Sequence, residues 1–385
     1  MNAGESEFQT ALIQELIINT NNWFGAENWD QERFGPYKFS FKGSALSTLN
    51  RLFSGKLAIL PSNAWRGLVK NLSSLEHSLR GLGLVYDLLA DAESKATLIK
   101  VLAYRLMGYR KVKLPINTSW YWSMREGTTS LIKSDDAIKV SFPSLSLQHM
   151  SLEKIGYPVE LFLVPSGVMI TFILKQYEYG KTNPTIKVRS GDYVIDAGGC
   201  WGDTALYFAH NVGSLGQVYS FEFTPENLDI FQRNLKLNPD LAKRIEIVPH
   251  ALWEDSGRVI HYSPLGPGTS MAQPRPTPDN HAGSLQVTTL SIDDFINERK
   301  LPRVDFIKMD IEGAELKALK GAEKTLINYR PRLAISVYHR QDDLIDIPTY
   351  IKELDLGYEF FLDHFTIYGE ETVLFAQPNN MLPEG

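Results

Sequence analysis

From residue 159 onward, short apolar runs alternate with stretches whose apolar positions recur every three or four residues. Buried strands and amphipathic helices produce those two periods. The pattern predicts strands at Tyr193–Ala197, Val218–Phe223, Ile245–Pro249, Val304–Met309, Leu333–Tyr338, Tyr358–Leu362 and Val373–Ala376. Helices are expected near Thr204–His210, Glu226–Leu237, Ala314–Ile327 and Pro348–Leu354. Val159–Val164 and Val168–Leu174, separated by Pro165, Ser166 and Gly167, read as a β-hairpin spanning 159–174. Strands and helices in this order specify an α/β architecture: a mainly parallel, doubly wound, Rossmann-like sheet covered on both faces. Upstream the texture changes. Residues 7–24, 64–90 and 92–108 carry helical spacing, as at Leu12, Leu16 and Ile17. The chain is therefore expected to divide into a mostly helical accessory domain at 1–150 and an α/β domain at 151–385.

In such sheets ligands sit outside the C-terminal strand ends, so the tips carry the chemistry. The first predicted strand runs into DAGGCWGDT, Asp196 to Thr204. Gly198, Gly199 and Gly202 allow a tight turn and close approach of a ligand, but they lack the G-x-G-x-x-G order of a dinucleotide site. A dehydrogenase is disfavoured on that ground. Asp196 and Asp203 in the same turn would repel a pyrophosphate and suit a ligand carrying an amino group and a sulfonium. Glu222, at the next strand tip, is placed to accept the hydroxyls of a ribose. His250 and Ala251, after the third strand, would flank an adenine.

Composition changes this picture little. With 43% hydrophobic and 22% charged residues, the chain has ample material for an ordinary globular core. The single cysteine, Cys200, excludes an intrachain disulfide and fits a reducing compartment, so a cytoplasmic location is expected. A net charge of -6 argues against nonspecific binding to nucleic acid or an anionic membrane. MNAGESEF lacks the features of a signal peptide, and Val159–Leu174 is too short to span a bilayer. The basic cluster Arg105, Arg110, Lys111 and Lys113 reads as a solvated face or as an attractor of a phosphorylated sugar. The expected partner is a small-molecule or glycan acceptor. The N-terminal half is left to bind that acceptor or a second copy of the chain.

The run GDYVIDAGGCWGDTAL, then FEFTPENL with Asn234 downstream, then FIKMDIEGAE, resembles the FkbM family of S-adenosylmethionine-dependent methyltransferases. The resemblance implies a class I methyltransferase fold with a reversed last hairpin. It also implies S-adenosyl-L-methionine as methyl donor and a hydroxyl acceptor on a sugar or polyketide. Asp196, Gly198 and Gly202 match the first cofactor motif, Glu222 the ribose-binding acid, and Asp310, Glu312 and Gly313 the IEG motif. Gly199, Cys200 and Trp201 replace the family's usual residues within the loop, bringing an indole into the expected pocket.

Methyl transfer to a hydroxyl is a displacement that needs the acceptor in line and its proton removed. Asp310, Glu312 and His339 lie at the tips of the fourth and fifth strands. Two chemistries fit them. His339 takes the acceptor proton while Asp310 orients the ring, or Asp310 and His339, with Glu312, hold a divalent metal that acidifies the hydroxyl. Ser263–Ser284, with its five prolines, reads as a cover over the acceptor site or as a surface insertion. The remaining alternatives are a natural-product hydroxyl as acceptor and a non-catalytic cofactor-binding module.

Overall fold

The computed structural model describes residues 3–38, 78–141, 145–183, 185–262 and 285–379. Three strands precede the main sheet: β1 (Ile132–Lys139), β2 (Ser146–Ser151) and β3 (Glu160–Leu163), paired antiparallel in that order. The main sheet has seven strands and contains β4 (Tyr193–Ala197), β5 (Gln217–Phe221) and β6 (Ile245–Val248). Beside it lies a small sheet of β7 (Ala251–Leu252), β8 (Val259–Tyr262) and β9 (Leu285–Leu290). The main sheet is completed by β10 (Phe306–Met309), β11 (Arg332–Ser336), β12 (Tyr358–His364) and β13 (Thr372–Pro378). Its order is β12-β13-β11-β10-β4-β5-β6, with β13 alone antiparallel to its neighbours. This is the class I methyltransferase topology, reversed last hairpin included. The central parallel strands are buried on both faces, which is why they read as continuous apolar runs.

Side chains alternate between two cores. Ile195, Ala197, Ile307 and Met309 face a core shared with Phe8, Leu12 and Leu98 of the N-terminal helices and with Leu89. Val194, Val218, Phe306 and Ala334 face the other, shared with Leu147, Leu161, Phe172 and the helix Asp203–Val212. The N-terminal half thus supplies layers to both faces of the sheet. A boundary at 150 would fall inside β2 and cut both cores. The helix Ala92–Met107 is capped by Asp91, whose carboxylate accepts the Ser94 N–H at 2.7 Å.

Two expected elements take another form. Val168–Leu174 is no strand, so the hairpin expected at 159–174 does not form. β3 pairs with β2 instead, and Pro165 opens a helical turn that continues as a π-helix, Met169–Ile173. Proline is preorganised for a first helical turn, and Val168, Met169 and Phe172 all bury there. The helix expected at Ala314–Ile327 is two, Glu315–Lys320 and Glu323–Tyr329. The break is at Gly321, where a Cβ would lie 2.1 Å from the Trp253 carbonyl oxygen. Ser263–Ser284 and residues 64–77 lie outside the described residues. Among the described residues no helix is long and apolar enough to cross a membrane.

Candidate active site

At the C-terminal edge of the central strands, register sets the chemistry. Lys308 on β10, Asp196 on β4 and Ser220 on β5 are direct neighbours across three strands. All three are buried. Lys308 Nζ lies 3.2 Å from Asp196 Oδ1 and donates to the Ala197 and Gly198 carbonyls at 3.1 and 2.7 Å. Asp196 also accepts from Ser220 Oγ at 2.7 Å and from Thr204 Oγ1 at 3.0 Å. Burial alone would depress Lys308, but Asp196 and then Asp310 hold it charged, and its pKa is raised. A buried charge persists only with partners of this kind. Lysine within the apolar run FIKM is the sequence signal for this pairing.

Asp196 is therefore committed to the protein. Its carboxylate ties the glycine loop to β10 and β5 instead of facing a ligand. The loop itself is forced by contact. Gly198 has φ 90°, and a Cβ there would lie 1.9 Å from the Asp310 carbonyl oxygen. Only glycine has the freedom and the room. Its N–H and that of Gly199 both bond to the Phe221 carbonyl, at 3.0 and 2.9 Å. Asp203 accepts from Thr171 Oγ1 at 2.8 Å, which anchors the π-helix. Burial pushes the Asp203 carboxyl up. The Trp201 indole is buried and donates to Asn227 Oδ1 at 3.1 Å. Burial pushes the Cys200 thiol well up, as suits a packing role.

Glu222 follows β5. It accepts from the Phe223 and Thr224 N–H groups, both at 2.7 Å, and from Asn227 Nδ2 at 3.2 Å. Burial raises its pKa against those donors. Oε2 keeps a lone pair, so a ribose hydroxyl remains an acceptable ligand. His250, after β6, has its Nδ1 buried with no hydrogen-bond partner among the described residues, and Ala251 next to it is buried in β7. With the glycine turn, Glu222 and the unpaired His250 nitrogen on adjacent strand ends, the residues fit an adenosine moiety.

The second cluster lies past β10 and β11. Asp310 accepts from Tyr177 OH at 2.8 Å and from Tyr338 OH at 3.3 Å. His339 Nε2 stands 3.4 Å from Asp310 Oδ1 and 3.5 Å from Glu312 Oε2, while Nδ1 stands 2.9 Å from Glu315 Oε1. Glu315 opens its helix and accepts the Ile311 N–H at 2.8 Å. Glu312 occupies a left-handed turn at φ 56° before that helix, so it is not a helix cap. Glu371 joins from the loop before β13, accepting from Tyr338 OH at 3.2 Å and from Gln176. Asp310, Glu312 and His339 thus converge as expected. Glu315, Glu371 and Tyr177 were not foreseen as site residues, because only the fold brings them together.

Carboxylates outnumber cations here, and protonation follows. Burial alone would lower His339, but Glu315, Asp310 and Glu312 raise it to about 10. Burial and Asp310 lift Glu312 to about 7, against His339, and lift Glu371 to about 8. These carboxylates favour the imidazolium form of His339, so a general-base role without a metal requires the ring to give up that proton first. The basic cluster is not a single face: Arg105 reaches the Val337 carbonyl at 3.5 Å, whereas Arg110 and Lys111 sit over Trp23.

A family model described as the methyltransferase FkbM domain matches residues 189–360. Among curated proteins, "Methyltransferase 1" of Beauveria bassiana is 26% identical over 171 residues, covering 40% of this chain and 68% of its own. "Methyltransferase sdnD" of Sordaria araneosa is 26% identical over 186 residues, covering 41% of this chain and 71% of its own. The crystal structure of methyltransferase FkbM from Methylobacillus flagellatus is 21% identical, with a TM-score of 0.49. That similarity covers 79% of this chain, and the chain spans 60% of that structure's length.

Proposed function

We propose that this chain, whose residues 189–360 match the methyltransferase FkbM domain model, is an S-adenosylmethionine-dependent methyltransferase that methylates a hydroxyl oxygen of a carbohydrate or glycan. The observation that carries this reading is the cluster of Asp310, Glu312 and His339 with two tyrosines, set against the glycine loop. Bound S-adenosylmethionine supplies an electrophilic methyl group. The turn at Gly198–Gly202, Glu222 and His250 hold the donor, and the cluster holds the acceptor. An acceptor rich in hydroxyl groups finds carboxylate acceptors at Asp310 and Glu312, both reachable from solvent at 19% and 30% side-chain exposure. Positioning supplies much of the rate in such a displacement, and the carboxylates draw off the proton as the new bond forms.

A hydroxyl on a polyketide or other natural product is the alternative acceptor. Incubating the protein with methyl-labelled S-adenosylmethionine and a panel of nucleotide sugars, glycans and polyketide alcohols decides between them. Label on a sugar oxygen supports the proposal, and label on a polyketide alone would replace it. Absence of S-adenosylhomocysteine formation with every acceptor would reduce the chain to a cofactor-binding module.

A further inference from the structure

We propose that Asp310, Glu315 and His339 form a divalent-cation site that binds the acceptor hydroxyl beside the methyl group, an inference that rests on the methyltransferase reading above. One ligand atom from each residue lies within 4.8 Å of the others, a separation three ligands can close around one ion. Glu315 was not in the set expected from sequence; it replaces Glu312 as third ligand.

The unmet hydrogen bonds point the same way. The His339 side chain is only 7% exposed, and it stands between Asp310, Glu312 and Glu315. Yet neither ring nitrogen is aligned for a hydrogen bond among the described residues, although both lie at ion-pair distance from carboxylates. The Glu315 side chain is 0% exposed, and its Oε2 has no hydrogen-bond partner among the described residues. Buried polar groups are rarely left in this state. A cation would satisfy them together, displacing any proton from the ring. Asp310 is held in place by Tyr177 and Tyr338, the kind of outer support that orients metal ligands.

Two carboxylates and one imidazole suit Mg2+, Mn2+ or a similar ion of mixed oxygen and nitrogen preference. Asp310 is the exposed ligand, at 19% side-chain exposure, so open coordination positions face solvent on its side. An acceptor hydroxyl bound there passes its proton to a carboxylate of the cluster and from there to water. Its oxygen then forms the bond to the methyl carbon as the carbon–sulfur bond breaks, with the electron pair passing to sulfur. The products are a methyl ether, S-adenosylhomocysteine and one proton.

The test uses the full chain saturated with S-adenosylhomocysteine and titrated with Mn2+, read by electron paramagnetic resonance. One Mn2+ per chain is expected, and Glu315→Gln should weaken it by at least the ~10-fold typical of losing even a supporting partner. His339→Asn provides a second variant should Glu315→Gln fail to fold, and S-adenosylhomocysteine affinity should be unchanged in either. Turnover should fall on chelation and return with Mn2+. Wild-type protein that binds no Mn2+ at millimolar concentration, or variants that bind it as tightly as wild type, would overturn the proposal. If Mn2+ fails to bind while S-adenosylhomocysteine still does, only the cation site falls. If neither binds, the methyltransferase reading falls with it.

Discussion

Two polar clusters lie a few residues apart at the same sheet edge, and they are built on opposite terms. Around Asp196 and Lys308 a buried pair of opposite charges is bonded to hydroxyls and carbonyls on three strands. Around His339, three carboxylates from residues 310–315 crowd one imidazole, and several buried atoms go without hydrogen bonds among the described residues. The first arrangement holds a loop in one shape; the second leaves buried polar atoms for a ligand to satisfy. Satisfaction of hydrogen bonds, more than the number of charges, separates scaffold from reactive centre.

The largest expected effect breaks the first cluster. Lys308→Met should cost about 3–5 kcal/mol of stability, because it leaves the Asp196 carboxylate buried and unpaired. Denaturant unfolding measures it, and adding Asp196→Asn to Lys308→Met should recover part of the loss. Full stability in Lys308→Met would show that the pair holds nothing. Breaking the second cluster should read out in rate and spare the fold. His339→Ala should lower turnover by about 100-fold with little change in unfolding midpoint or in S-adenosylhomocysteine affinity. Near-normal turnover would return the histidine to a structural role. Glu222→Ala tests the donor side and should weaken S-adenosylhomocysteine by about 1–3 kcal/mol in calorimetry.

The last test sharpens the contrast through pH. In the fold Glu371 keeps its proton up to about 8, against a usual value of 4.5, so the native state binds the extra proton in that window. His339 acts in the same direction between 6.5 and about 10. Stability in chelator-treated protein should therefore fall as pH rises from about 5 to 9, by at most about 1.4 kcal/mol per pH unit for each extra proton. Glu371→Gln should flatten the lower part of that slope. A wild-type stability curve that rises across this range would contradict the electrostatics of the cluster.

Much of the catalytic half was legible because its signals are local. The parallel strands, the glycine turn and Glu222 each announce themselves within a few residues. Val168–Leu174 misled because β-branched residues and a Pro-Ser-Gly interruption suit a hairpin, whereas packing on the helix Asp203–Val212 and the Thr171–Asp203 bond favour a helix. Glu315 was hidden for a different reason: in IEGAE it reads as a helix's first acidic residue, and only β11 brings His339 to it. Lys308 was half visible, as a charge in an apolar strand whose partner lies on another strand.

The contact between Gly198 and the Asp310 carbonyl has a thermodynamic consequence. The turn assigned to the methyl donor and the residue assigned to its recipient touch without a methyl group's width between them, and the Asp310 N–H bonds to the Ala197 carbonyl at 3.0 Å on the same path. A guest that displaces one wall by a few tenths of an ångström displaces the other. Occupancy of the two compartments is then linked, and linkage is reciprocal: whatever factor the donor contributes to the recipient's affinity, the recipient returns. The product pair inherits the same linkage, so the departure of one product changes the hold on the other.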